Sequence, residues 1–377
     1  MLPCQRHLFN IPDDITFLNI ANYAPQLKSV TEAGLAAVRK KESPWLFTSN
    51  DWFDLAEEWR RLSAQFMGVD VDGVALIPSA SYGIAIAAAN IPLKRGQTIV
   101  LLHQEFPSNV YAWIELAQQN GAQVIFAQRE SGESWTDALL RNIDARTALV
   151  AAPQCHWTDG SRVDLIPVSK KAREVGAALV LDVSQSLGAS VIDIAKIQPD
   201  FLVSVGYKWM LGPYSLAYMY VAPKWHDGKP IEYSWLTREG AEDFTKLVDY
   251  TEGFRPGARR FDMGEYSQFV NAPMAIAALQ QLIAWTPAVI EQTIGAHTQR
   301  IADEAIRLGF NLFPPDQRSK HMIGIRRPGG IPAALPKALA DEKVFVSVRG
   351  DSIRIAPHVY VADTDLDRLF SVLRRFA

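Results

Sequence analysis

Between Val74 and Pro223 the chain repeats one pattern: a short β-branched apolar run, a turn, then an amphipathic stretch. The apolar runs are VALIPS from Val74, TIVLLHQ from Thr98, AQVIFAQ from Ala122, TALVAAPQ from Thr147, ALVLDVSQ from Ala178, DFLVSVGYK from Asp200 and LAYMYVAP from Leu216. Runs apolar on both faces predict strands buried on both sides. The stretches between them, such as Asn109 to Asn120 and Val168 to Val175, predict crossover helices. The expected fold is α/β, a mostly parallel seven-stranded sheet with helices on both faces. The last two runs are joined across WMLGPYS, which is too short for a helix and leaves room for an antiparallel strand.

After Pro223 the pattern changes. Trp225 to Arg260 is polar and rich in Glu, Asp and Arg, and a long helical reading follows from Ala272 through Leu308, broken at Pro287. The tail alternates short strands (HMIGIRR, VFVSVRG, SIRIAPH) with helices, the last from about Thr364 to Phe376. This predicts a large α/β domain over residues 15–258 and a smaller α+β domain over 259–377, joined by the N-terminal arm 1–14.

Composition narrows the class of protein. With 377 residues, 48% of them hydrophobic, the chain can bury a large core. Its 38 Lys and Arg against 41 Asp and Glu leave a net charge of -3, no field to hold a nucleic acid. Cys4 and Cys155 are too few for a disulfide framework, and no spaced Cys or His cluster predicts a metal site. The N-terminus lacks the apolar core of a signal peptide, and no run reaches the length of a membrane span. A soluble, cytoplasmic protein in a reducing compartment is expected.

Ligands of doubly wound sheets collect at the carboxyl ends of strands, so the polar residues that close each apolar run carry the chemical signal. Asp182 closes ALVLD; taken alone it serves equally as a turn cap or as a buried anion waiting for a cation. Lys208 follows another buried strand, between Tyr207 and Trp209. It either extends to the surface or is a desolvated amine whose lowered pKa suits Schiff-base chemistry. SASYG, residues 79–83, stands before an apolar helix and offers backbone N–H groups to an anion, although Ser there is also an ordinary N-cap.

Together these residues resemble the class V aminotransferase family of fold-type I pyridoxal-phosphate enzymes, which includes cysteine desulfurases, kynureninases and isopenicillin N epimerase-like proteins. Asp-x-x-Gln at Asp182–Gln185 is followed by a strand ending in Gly206, Tyr207, Lys208 and then Gly212, Pro213. The similarity extends from FLNIANYAP near Phe17 to SIRIAPHVYVADTDLDRL near the C-terminus. It implies pyridoxal 5'-phosphate as cofactor, with Lys208 forming the aldimine and Asp182 pairing with the pyridinium nitrogen. Gln185 falls near the phenolic oxygen, Phe106 at the ring-stacking position, and Ala80 with Ser81 in the phosphate turn. Tyr207 replaces a histidine that many desulfurases carry beside the lysine.

RRFDMGEYSQF, from Arg259, resembles the segment that reaches the phosphate of the neighbouring subunit, so a homodimer is expected. Glu265 stands where desulfurases often have Thr. A carboxylate repels a phosphate, so the N–H groups of Gly264 and Glu265, or the hydroxyls of Tyr266 and Ser267, are the expected substitutes. By the same resemblance Arg354 receives the substrate α-carboxylate, a job suited to a bidentate guanidinium. Arg349 is a second candidate, and Asn22, Tyr23, His156 and Trp157 border the active site.

Breaking a bond to an amino-acid Cα is common to transamination, racemisation, β-elimination and desulfuration. The expectation is an aminotransferase acting on a small amino acid or its keto acid, with a kynureninase- or epimerase-like lyase or epimerase as the alternative. Desulfuration is weakened because the interval between Arg349 and Arg354 is only GDSI, without cysteine. A catalytically inactive scaffold is the non-enzymatic alternative, but a scaffold has no physical need for a buried amine and a buried carboxylate together.

Overall fold

All seven apolar runs become strands of one sheet. The computed structural model describes residues 1–377, and its strands in chain order are β1 (Thr16–Phe17), β2 (Val74–Ile77), β3 (Thr98–Leu102), β4 (Gln123–Ala127), β5 (Thr147–Ala152), β6 (Ala178–Asp182), β7 (Phe201–Val205), β8 (Ala217–Val221), β9 (Ile323–Ile325), β10 (Val344–Phe345), β11 (Ser347–Arg349) and β12 (Ser352–Ile355). The large sheet runs in the order β2-β8-β7-β6-β5-β3-β4. Neighbours from β7 to β4 are parallel, while β8 is antiparallel to both β7 and β2. The short WMLGPYS connection accounts for that reversal, since parallel neighbours need a crossover of a dozen residues or more.

Buried side chains pack on both faces of the sheet, and β2, β3, β6 and β7 are buried at every position. Strand β4 departs from the expected buried run: it lies at the sheet's edge, so Gln123 and Phe126 are exposed. The helix Ala80–Asn90 packs closely because Gly83 carries no Cβ; one placed there would lie 2.5 Å from Val203 Cγ1 and 2.8 Å from Ile77 Cδ1. That approach sets the helix N-terminus over the end of β2.

The opposite edge of the sheet, β2, is covered by the turn Gly257–Phe261 and the residues after it. Met263 N–H donates to Leu76 O at 2.8 Å, and Leu76 N–H donates to Asp262 Oδ1 at 2.7 Å. Asp262 also pairs with Arg60 at 2.6 Å, and both side chains are fully buried.

The long helical segment divides at Thr286 into Asn271–Trp285 and Pro287–Arg307, because proline fits the first turn of a new helix and not the interior of an old one. No single helix is long and apolar enough to cross a membrane. VFVSVRG is not one strand but two. Strand β10 pairs in parallel with β1, and β11 joins the antiparallel sheet β11-β12-β9. The N-terminal segment thereby lies against the C-terminal elements, with a further bridge from Asn19 to Ala356.

Candidate active site

The carboxyl ends of β2, β3, β5, β6 and β7 converge on a cavity of about 400 Å³. Its wall contains Ala80 and Ser81 after β2, Glu105 and Phe106 after β3, Trp157 after β5, Asp182 and Gln185 at β6, and Tyr207 and Lys208 after β7. These groups lie far apart in the chain and meet because their strands end on the same side of one sheet.

Lys208 is 6% exposed, and its ammonium makes no hydrogen bond or ion pair within the chain. Burial pulls its pKa down to about 8; Asp182 opposes this, while Arg354 and Arg349 add to it. Its Nζ lies 5.3 Å from the Phe106 ring centre and 5.7 Å from that of Tyr207. The close turn carrying it rests on Gly188, whose φ is +97° and where a Cβ would lie 2.3 Å from Trp209 O.

Asp182 is buried, and burial raises its pKa against the hydrogen bonds from Ser184 and the charge of Lys208. Its Oδ1 accepts from Ser184 N–H at 2.9 Å, and no cation lies within ion-pairing distance. Gln185 is held from two sides: Trp209 Nε1–H donates to its Oε1 at 2.9 Å, and its Nε2–H donates to Ala21 O at 3.0 Å. One of the two Nε2 protons remains for a ligand. Ser79 caps the helix by accepting from Tyr82 N–H at 3.2 Å, and its Oγ lies 3.0 Å from that of Ser81. The N–H groups of Ala80 and Ser81 have no acceptor within the helix, which makes this terminus an anion seat.

Of the other expected residues only Trp157 lines the cavity; Arg354, Asn22, Tyr23 and His156 do not. Arg354, 2% exposed, donates from Nη1 to Trp157 O at 2.6 Å; its Nε is buried without a partner and no carboxylate pairs with it. Tyr23 is exposed, with its ring 5.6 Å from Tyr207 and 6.3 Å from Tyr214. Asn22 is exposed in the same turn, and the next buried residue, Ala24, donates its N–H to Tyr207 O. His156 does not line the cavity. It is buried and stacked on Trp135, and its Nε2–H donates to His103 O at 3.2 Å; burial lowers its pKa against the charge of Asp159. Arg349 lines a neighbouring cleft rather than the cavity.

Gly264 and Glu265 do not line the cavity of their own chain. The Gly264 N–H is taken by the Glu232 carboxylate. The hydroxyls expected to substitute are used inside the chain as well: Tyr266 O–H donates to Leu236 O and accepts from Arg255, and Ser267 O–H donates to Trp52 O. Both residues are buried, so that part of the expectation is corrected.

Glu105 went unnoticed in the sequence although it precedes Phe106. It is 7% exposed; Oε1 accepts from Phe106 N–H at 2.6 Å and Oε2 has no partner. Burial, joined by the charge of Asp182, pushes its pKa up to about 8 against the Phe106 N–H bond. The signal was weaker than for Asp182, which is the last residue of β6, since His103 and Gln104 separate Glu105 from the end of β3. Cys155 also lines the cavity, but burial pushes its thiol up to about 12, so it is no nucleophile at neutral pH.

A doubly wound sheet whose strand ends hold an unpaired lysine, an unpaired buried aspartate and a free helix N-terminus defines an α/β enzyme of fold type I, the fold of pyridoxal-phosphate enzymes. The family model described as Aminotransferase class-V matches residues 47–359, and the chain belongs to that family.

Similar relatives include an uncharacterized aminotransferase of Bacillus subtilis, YcbU, 25% identical over 348 residues and covering 89% of each chain. Isopenicillin N epimerase of Streptomyces clavuligerus is 23% identical, covering 83% of this chain and 82% of its own. Among solved structures, a cysteine desulfurase of Thermococcus onnurineus superposes with a TM-score of 0.85 at 19% identity, over 100% of this chain and 98% of its own. The C-DES protein, with glycine covalently linked to its pyridoxal-phosphate cofactor, gives 0.88 at 18% identity, over 99% and 100%.

The cavity fits pyridoxal phosphate, the cofactor of this family. Lys208 is an amine with no internal partner, Asp182 a buried carboxylate with no internal cation, and the helix at Ala80 an anion seat with no internal anion.

Proposed function

We propose that this protein is a class V aminotransferase acting on a small amino acid and its keto acid. The observation that carries the reading is the pair Lys208 and Asp182, two buried ionisable groups in one cavity without an ion pair between them. Such groups are costly unless a ligand completes them. When bound, the cofactor supplies an electron-withdrawing ring that accepts the electrons left at a substrate Cα.

The residues of the chain do the rest. Asp182 would hold positive charge on the ring nitrogen, Ala80 and Ser81 would hold the phosphate, and Phe106 would pack against the ring. Arg354 takes the α-carboxylate. Lys208, with its pKa near neutrality, takes and returns the proton at Cα. A homodimer, with the Gly264–Glu265 segment reaching the partner's site, belongs to the same proposal. A second reading, epimerisation, rests on the similarity to isopenicillin N epimerase over 83% of the chain.

The test is an absorption spectrum of the protein loaded with pyridoxal phosphate, beside Lys208→Ala, during additions of single amino acids. A visible band that depends on Lys208, and that one amino acid converts to a pyridoxamine-like spectrum, supports transamination. A band that persists while the amino acid racemises supports the second reading. Absence of any lysine-dependent band overturns both.

A further inference from the structure

Beside the cofactor cavity lies a second space, a cleft of about 990 Å³, and the two share Glu105 and Trp157 as a common wall. Three guanidinium groups, Arg129, Arg326 and Arg349, line this cleft together with Glu105, Asp159 and Asp351, and both aspartates are turned to Arg326. Arg326 is paired with Asp159 at 2.5 Å and with Asp351 at 3.0 Å. Arg129 has no ion pair and no hydrogen bond; its guanidinium is held 4.4 Å from the Trp135 ring centre and 4.2 Å from that of Phe313. A cation fixed over two rings loses little further freedom on binding a ligand, and all its N–H donors are unused. Arg349 donates only to its neighbour's carbonyl, Val348 O.

The placing of the charges separates this cleft from an ordinary solvated face, because both aspartates are spent on one arginine. An α-carboxylate bound at Arg354 is a single anion that matches a single guanidinium fork. Arg129 and Arg349 then remain without an ion-pair partner, Arg129 feeling Asp159 and Glu133 only at longer range, in a cleft that adjoins the cavity at Glu105 and Trp157. Glu105 does not serve as that counter-ion, because its Oε1 is turned to the Phe106 N–H and its Oε2 is buried without a partner.

We propose that the cleft receives a second acidic group, carried at the far end of the substrate side chain, so that the preferred substrate is an amino acid with two anionic ends. This rests on the proposed aminotransferase reading. Arg129 and Arg349 hold the distal anion, and Trp157 forms the wall along which the side chain passes.

The experiment compares the pyridoxal-phosphate-loaded enzyme on aspartate, glutamate and 2-aminoadipate with asparagine, glutamine and norleucine, with alanine as reference and O-phosphoserine as the phosphate arm. The best diacid or phospho acid is expected to exceed its neutral counterpart at least tenfold in kcat/KM. Arg129→Gln is expected to erase at least tenfold of that preference through KM, lowering the diacid far more than alanine. Whether diacids or O-phosphoserine lead decides between a carboxylate and a phosphate. Acid and amide within twofold of each other, or Arg129→Gln lowering diacid and alanine equally, overturns the proposal.

If no amino acid reacts, the aminotransferase reading fails separately, and calorimetry with glutarate and with glutaramide, on the wild type and Arg129→Gln, still decides. Tighter binding of glutarate that is lost in Arg129→Gln keeps the anion site. Equal binding ends it.

Discussion

Trp209 Nε1–H donates to Gln185 Oε1 at 2.9 Å, and so the residue after the candidate lysine is tied to the residue three places after the candidate aspartate. Through Gln185 Nε2 and Ala21 O the same link reaches the N-terminal segment. Trp209→Phe leaves Gln185 Oε1 buried without a donor and, because phenyl is smaller than indole, also opens space at a fully buried position. A loss of about 1–3 kcal/mol is expected from that unsatisfied group, read by urea denaturation. An unchanged midpoint would show that the indole N–H contributes nothing.

The lowered pKa of Lys208 sets a pH dependence for cofactor capture. Only the neutral amine attacks an aldehyde, and its fraction rises about tenfold per pH unit below about 8. The rate at which apoprotein takes up pyridoxal phosphate should therefore climb from pH 6 and level off above about 8. Stopped-flow absorbance measures it, and a profile still rising steeply beyond pH 9 would contradict the desolvated amine.

Glu105 makes the opposite kind of pH dependence, in stability. Its folded pKa, pushed up to about 8, lies above the ordinary carboxylate value, so between about 4.5 and 8 the folded state holds a proton that the unfolded state has released. Stability from this group is fully present below the lower value and declines as pH rises, by at most about 1.4 kcal/mol per pH unit. Glu105→Gln should flatten that decline in the apoprotein. Denaturation curves at pH 5.5 and 8.5 are the check, and an equal slope in both proteins would refute it.

The Arg60–Asp262 pair anchors the covering segment to β2. Asp262→Asn leaves the fully buried guanidinium without its counter-charge, which costs about 3–5 kcal/mol. The expected result is a large drop in melting temperature and exposure of the β2 edge, seen by hydrogen exchange at Leu76. Asp262→Asn as stable as the wild type would mean that Glu57, also beside Arg60 at 3.2 Å, suffices.

The sheet was legible because its strands are buried on both faces, and burial leaves continuous apolar runs that no surface element shows. Edge strand β4 and the division of VFVSVRG were less so, since the run carries no mark of which sheet each half joins. Lys208 and Asp182 were legible as charges closing apolar runs. Glu105 carried a weaker mark, standing three residues past the end of β3 after His103 and Gln104. The commitments of Tyr266 and Ser267 could not be read, because their partners, Leu236, Arg255 and Trp52, are distant in sequence or carry no motif. Arg129 was invisible for the same reason: Trp135 is six residues away, but Phe313 comes from the other end of the chain.

Strand β2 hydrogen-bonds within the large sheet to β8 alone, although Val74 and Ala217 are separated by most of the domain. The helix N-terminus at Ala80 thus emerges early during synthesis, yet its strand has no sheet partner until the chain is complete past Val221. Closing so long a loop is a slow, high-contact-order step, and it delivers the seat and the lysine turn together. Capture of the cofactor is then a report that the whole sheet has closed, since a nascent chain stopped short of β8 carries Lys208 and Asp182 without β2 docked beside them.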